Sequence, residues 1–195
     1  MLWTLCLQRG NNGALYGYYF TRKQPGSVVT ILALIFHYIN QLNTITMANK
    51  LRSQTAIVID APVTAVWQAL TTPDIIRKYF HGTEAVSEWT VGNSILFKGE
   101  WEGHDYQGRG IILNRVPYKL FKFSYWSSLS GLENKSENYI HVTYEMWEEE
   151  NGRTELTVIL DKIQNEKMKG QLEQNLFKIL KNLKWVVETQ TEMAA

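Results

Sequence analysis

At 195 residues, with 45% hydrophobic and 20% charged side chains, the chain has the make-up of one globular domain with an extension, which excludes global disorder. A net charge of +1 excludes a whole-molecule field that would steer it onto nucleic acid or an acidic membrane. Cys6 is the only cysteine, so neither an intrachain disulfide nor a thiolate metal site can be assembled, and a reducing, cytoplasmic setting is expected.

The first 46 residues differ from the rest. They contain Arg9, Arg22 and Lys23 but no acid, so all 19 acids lie from Met47 onward against 17 bases. The apolar run from Val28 to Ile39 is shorter than the about 20 residues needed to span a bilayer. Arg22 and Lys23 precede it, as in a signal peptide, yet Asn40-Gln41-Leu42-Asn43 supplies no small-residue cleavage site. The expectation is a natural start at Met47-Ala48-Asn49-Lys50, with residues 1–46 a non-native or disordered extension and 47–195 the domain.

Gln54 to Asp60 alternates as a strand, with Ile57 and Ile59 on one face. Pro62 suits the first turn of a helix, and Val63, Val66, Trp67 and Leu70 then form an apolar stripe. Thr71-Thr72-Pro73-Asp74 ends that helix and opens a second, with Ile75, Ile76, Tyr79 and Phe80 as its apolar side. After Gly82 the pattern turns to period two. Ile95, Phe97, Gly99 and Trp101 share a face, and Gly103-His104 reads as a hairpin connection. Tyr106 to Arg115 returns as a strand whose buried face is ambiguous, because Ile111, Ile112 and Leu113 are contiguous. Phe121, Phe123 and Tyr125 form the next inner row, followed by a small polar loop. Val142, Tyr144 and Met146 share a face against His141, Thr143 and Glu145, which read as solvent-facing. Glu148-Glu149-Glu150-Asn151-Gly152 is a hairpin turn, and Leu156, Val158 and Leu160 complete the last strand. Hairpins between successive strands make the sheet antiparallel. From Asn165 to Thr191 no proline intervenes, and Met168, Leu172, Leu176, Ile179, Leu180, Leu183 and Val187 recur at helical spacing. The fold class is therefore α+β, a curved antiparallel sheet closed by a long C-terminal helix.

Pro62-Val63-Thr64-Ala65-Val66-Trp67-Gln68-Ala69-Leu70-Thr71, then Pro73 and Tyr79-Phe80, resembles the START-like (SRPBCC) superfamily. The resemblance is to the branch named after the C-terminal domain of the activator of the heat-shock-protein-90 ATPase. Val91-Gly92, Gly99-Glu100-Trp101, Gly108-Arg109-Gly110 and Pro117-Tyr118-Lys119-Leu120 extend it over residues 54–187. It implies a helix-grip fold with a cavity between sheet and long helix. The chaperone-activator role belongs to proteins with an added N-terminal domain, which residues 1–46 do not resemble.

The cavity implied by this resemblance is lined by Phe97, Trp101, Phe123, Tyr125 and Tyr144 from the sheet and by Leu176, Leu180 and Leu183 from the helix, with Arg109 beside a polar group of the ligand. For any single ring, core filling is the plainer reading; as a set they suit a small hydrophobic molecule. Glu100, Glu102, His104 and Asp105 are the densest group of catalytic types, but they flank an exposed turn and do not converge as metal ligands must. His81, at the cavity mouth, is an acid–base candidate. No HExxH, P-loop, dinucleotide fingerprint or nucleophile elbow occurs, and no cofactor, metal or defined catalytic activity is expected. Trp126 and Trp147, on outward faces, mark an alternative partner surface for a chaperone or a second copy. A cyclase- or hydrolase-like enzyme is the third reading, its candidates being His81, Arg109 and Tyr144.

Overall fold

Alternating apolar residues produce the strands β1 (Trp3–Arg9), β2 (Leu15–Arg22), β3 (Leu51–Ile59), β4 (Glu84–Ser87), β5 (Ser94–Trp101), β6 (His104–Val116), β7 (Leu120–Ser127), β8 (Ile140–Glu148) and β9 (Thr154–Ile163). The helices are α1 (31–38), α2 (Val63–Thr71), α3 (Pro73–Tyr79) and α4 (Glu166–Ala194). The structure is a computed structural model and describes residues 3–9, 15–22, 31–38, 50–101 and 103–194. The chain divides into two units, Met1–Asn49 and Lys50–Ala195. In the first, β1 pairs antiparallel with β2, so regular structure lies within the segment that the sequence reading treats as an extension. No helix among the described residues is long and apolar enough to cross a membrane.

The second unit holds a seven-stranded antiparallel sheet in the order β3–β9–β8–β7–β6–β5–β4. Its two ends are β3 and β4, the strands that flank α2 and α3 in sequence. The chain therefore leaves one sheet edge, crosses through both helices and returns by hairpins. Pro62 caps α2 with extended geometry and no side-chain hydrogen bond, while Pro73 opens α3 one residue past Thr72. The tight corner between the two helices follows, since a residue preceding proline is driven out of the helical region.

The face of β6 is settled by a bulge. Ile112 pairs with Phe123, and Asn114 with Lys122, so β6 holds one extra residue there. Up to that point Tyr106, Gly108, Gly110 and Ile112 point inward, leaving Ile111 and Leu113 exposed. Beyond it the phase is reset and Arg115 sits 5.2 Å over the Trp67 ring. Three neighbouring apolar residues obscured the buried face of the strand in sequence, because Ile111 and Leu113 are apolar on its exposed side.

The core joins the inner faces of the sheet to α2, α3 and one side of α4. Leu180 and Leu183 are each 1% exposed, and Leu176 and Val187 are also buried. With 29 residues, α4 is about 43 Å long. It packs on β3, α3, α2 and β9, which leaves space between its N-terminal half and the middle strands.

The outer face departs from a simple solvated surface. Thr143 is buried and His141 half-buried, although both read as solvent-facing in sequence. Their strand, β8, lies between β7 and β9 in the sheet interior, where flanking side chains cover short ones. Burial first, then the Lys162 and Lys122 ammoniums, push the His141 imidazole below its usual pKa, while Asp161 acts in the opposite sense.

Candidate functional site

The space beside α4 is a pocket of about 870 Å³. Phe97, Phe121, Phe123, Tyr125, Ile140 and Tyr144 form its floor on the sheet, while Met168, Leu172, Leu176 and Ile179 face them from α4. Tyr79 and Phe80 close one end from α3. The rings form one contiguous assembly, with Phe97 5.9 Å from both Phe123 and Tyr125, and Phe123 6.2 Å from Tyr144. Exposed lining residues mark the mouth: His81 and His104 on one side, Ser130 and Gly131 of the β7–β8 loop, and Lys167, Gln171 and Lys178 of α4.

Glycines make room for these rings. Gly99, Gly108 and Gly110 all point inward, where a side chain would enter the core. A Cβ on Gly108 would lie 2.6 Å from the Tyr125 ring, and one on Gly99 2.9 Å from the Tyr106 ring. At Gly110 it would meet the Ser124 carbonyl oxygen at 1.7 Å. The Gly-Arg-Gly run thus lets β6 approach β7 while Tyr125 lies flat against it.

Tyrosine hydroxyls provide the internal polarity. Tyr106 is hydrogen-bonded to Thr83, and the Ser127 side chain is a hydrogen-bond partner of Tyr125. The hydroxyls of Tyr79 and Tyr144 have no such partner among the described residues. Burial pushes the Tyr79 and Tyr125 hydroxyls well up and that of Tyr144 up to about 12. All remain protonated donors at neutral pH. Tyr144 lies near enough to both Tyr79 and Tyr125 to influence their ionisation.

Of the residues expected at the site, Phe97, Trp101, Phe123, Tyr125, Tyr144 and Leu176 line this pocket. Leu180 and Leu183 do not; they lie deeper in the core, where α4 meets β3 and the short helices. Arg109 requires correction. It alternates with the inward Gly108 and Gly110, so it points outward, is exposed and donates to Gln107 at 2.8 Å. There it lines an adjoining surface groove of about 820 Å³ with Lys98 and Gln107, which shares Tyr106 and Trp126 with the pocket. The acidic group around the β5–β6 turn is split by the pleat. His104 pairs with Trp101 and reaches the pocket, whereas Glu100 pairs with Asp105 in the next, opposite-facing position. Glu102 lies outside the described residues. His81 takes a left-handed φ of 49° after α3 and stands edge-on to Trp101, 4.7 Å between ring centres. Trp126 is half-buried, its indole donating to the Leu132 carbonyl at 3.0 Å, so it holds the β7–β8 loop; Trp147 is 69% exposed. Sequence reasoning placed His81 at the mouth but missed Tyr106, Phe121, Ile140 and the mouth residues of the β7–β8 loop and α4. Phe121 had the right period-two signal, but nothing local told pocket wall from core.

Residues 60–188 match the family model described as "Activator of Hsp90 ATPase homolog 1-like protein". The chain belongs to that family. It is also similar to a Cytophaga hutchinsonii protein of known solution structure, with 35% identity and a TM-score of 0.62, over 73% of this chain and 97% of that one. A Chromobacterium violaceum protein shares the fold at 20% identity and a TM-score of 0.57, over 73% of this chain and 99% of that one. So does a Staphylococcus aureus protein of unknown function, at 17% and 0.59, over 74% and 99%. Among curated proteins none matches the chain. Family and fold together make this a ligand-binding or activator-like scaffold of the START-like type.

Proposed function

We propose that the domain binds a small, largely hydrophobic molecule in the pocket between the sheet and α4. The observation that carries this is a space of about 870 Å³, walled by aromatic and aliphatic side chains, with two tyrosine hydroxyls left without a partner among the described residues. Ligand sites are typically of this size, mostly apolar, with a few polar groups that fix orientation. Among the described residues, the lysines that line the pocket, Lys167 and Lys178, are exposed at its mouth, and the hydroxyls stay neutral. The ligand class is therefore an apolar body with a neutral hydrogen-bond acceptor, such as a carbonyl or hydroxyl oxygen.

A fluorescent apolar probe and a library of aromatic and lipid-like ketones and alcohols test this by thermal shift and native mass spectrometry. Leu172→Trp, which fills the pocket from α4, abolishes binding while the protein stays folded. Tyr144→Phe leaves apolar probes untouched and weakens acceptor-bearing ligands about tenfold, the loss of one hydrogen bond of roughly 1.4 kcal/mol. Binding that Leu172→Trp does not alter would sink the proposal.

A second reading, a protein-interaction module of the chaperone-accessory kind, is favoured by one observation, the exposure of Trp147 on the outer face of β8. It predicts a partner that is lost on Trp147→Asp. Trp126 drops out of that reading because its indole is committed to the loop.

A further inference from the structure

One side of α4 is buried in the core, and the other carries large rings into water. Phe177 is 59% and Trp185 69% exposed. A surface helix ordinarily places polar groups at such positions, and exposed apolar groups rimmed by polar ones mark interaction surfaces. The charge between them is one-sided. From Gln174 to Val187 the only charged residues are Lys178, Lys181 and Lys184. Lys184 turns back to Glu188 at 2.8 Å and to the Val58 carbonyl at 2.6 Å. Lys178 and Lys181 face outward, unpaired with any acid among the described residues, and the Lys181 ammonium lies 5.6 Å over the Phe177 ring. At 3.6 residues per turn, Lys167, Phe177, Lys178, Lys181 and Trp185 fall within an arc of roughly 100°, which Glu188, paired with Lys184, and the exposed Glu192 enter only beyond Trp185, toward the C-terminal end.

We infer that this face of α4 docks on an anionic lipid bilayer, with Phe177 and Trp185 seated among the headgroups and Lys178 and Lys181 on lipid phosphates. A near-neutral chain has no long-range field for this, so the attraction is local, within a Debye length of the helix. Lysines select an anionic partner. Two rings beside them select a surface with an apolar layer just beneath the charge, where aromatic side chains settle. Lys167 and Lys178 also edge the pocket mouth, so a docked α4 brings that mouth to the phase in which apolar molecules dissolve. The choice of a bilayer over an acidic protein rests on the apolar-ligand reading above.

The test floats the full chain with vesicles of phosphatidylcholine alone and of phosphatidylcholine mixed with phosphatidylserine. Binding is expected to the mixed vesicles only, and to fall as salt rises. Lys178→Gln/Lys181→Gln weakens it roughly thirtyfold, from two lost lysine contacts, and Phe177→Ser/Trp185→Ser abolishes it. These positions are exposed, and melting curves verify that both variants fold. Pocket occupancy is read separately in solution with the apolar probe. Phe177→Ser/Trp185→Ser keeps that binding, so failure of the docking and failure of the pocket reading are distinct results. Absence of vesicle binding overturns the inference. So does binding that both variants retain, as it would be if residues 28–39 supplied it. Capture of polyglutamate through the same lysines without vesicle binding assigns the face to an acidic protein instead. A dimer dissolved by Phe177→Ser/Trp185→Ser assigns it to a second copy. Either of these also overturns it.

Discussion

The Ser124 carbonyl and the α-carbon of Gly110 approach so closely that a methyl group has no place between them: the added Cβ would sit 1.7 Å from the oxygen. Both partners are backbone, so no rotamer change relieves the clash. Gly110→Ala therefore has to separate β6 from β7, and about 3 kcal/mol or more of stability is lost, the upper range for overpacking. Gly170 is the matched control. It lies in α4 with nothing within 4 Å of an added Cβ, so Gly170→Ala stabilises by about 1 kcal/mol, the helix-propensity difference. Chemical denaturation of the two variants measures both signs. A Gly110→Ala protein as stable as the parent would contradict the packing described. At this scale sequence was a weak guide. It marked Gly108-Arg109-Gly110 through resemblance, but it had Arg109 pointing inward, because glycines flanking a charge reveal nothing about which side of the pleat they occupy.

Elements were far more legible than residues. The stripe along α4, the prolines before α2 and α3 and the alternation in β5, β7, β8 and β9 each follow from a period or a steric restriction contained in the local sequence. What escaped was β4, only four residues long, and the bulge in β6, where the period itself fails. Division of α4 into a core-packed half and a pocket-lining half was equally invisible. Leu176, Leu180 and Leu183 carry the same helical signal, yet only Leu176 meets the pocket. That division is measurable. Leu183→Ala removes a side chain enclosed on all sides and costs about 3–5 kcal/mol, the range for leucine truncation in rigid cores. Leu172→Ala, at the pocket wall, opens space that already exists and costs about 1 kcal/mol, because a half-buried side chain forfeits only part of the roughly 2.4 kcal/mol that its three removed carbons are worth when fully buried. Equal costs at the two positions, measured by urea denaturation, would mean that α4 is gripped uniformly and the pocket is closed.

For the molecule as a whole, the buried tyrosines and His141 set opposite limits on stability. Unfolded tyrosines ionise near pH 10, whereas burial holds Tyr144 protonated up to about 12 and raises Tyr79 and Tyr125 as well. A raised native pKa means that the unfolded chain releases its proton first as pH climbs. Stability is then whole below about pH 10 and drains away between about 10 and 12. His141 works at the acid end. Its native pKa is lowered, so below about 6.5 the unfolded chain binds the proton more readily, and stability falls as pH drops through that window. Thr143, Lys122 and Asp161 surround it on the sheet's outer face, and the two lysines named above oppose its protonation more than Asp161 favours it. Urea midpoints measured across pH should thus form a plateau from about 7 to 10 with losses on either side. Tyr144→Phe makes the alkaline limb shallower, with Tyr79 and Tyr125 still contributing, and leaves the acid limb alone, whereas His141→Gln reduces the acid limb and leaves the alkaline one alone. If Tyr144→Phe left the alkaline loss unchanged, the hydroxyl at the pocket floor would have to be solvated and ionisable in the native state, and the apolar character assigned to the pocket would be wrong.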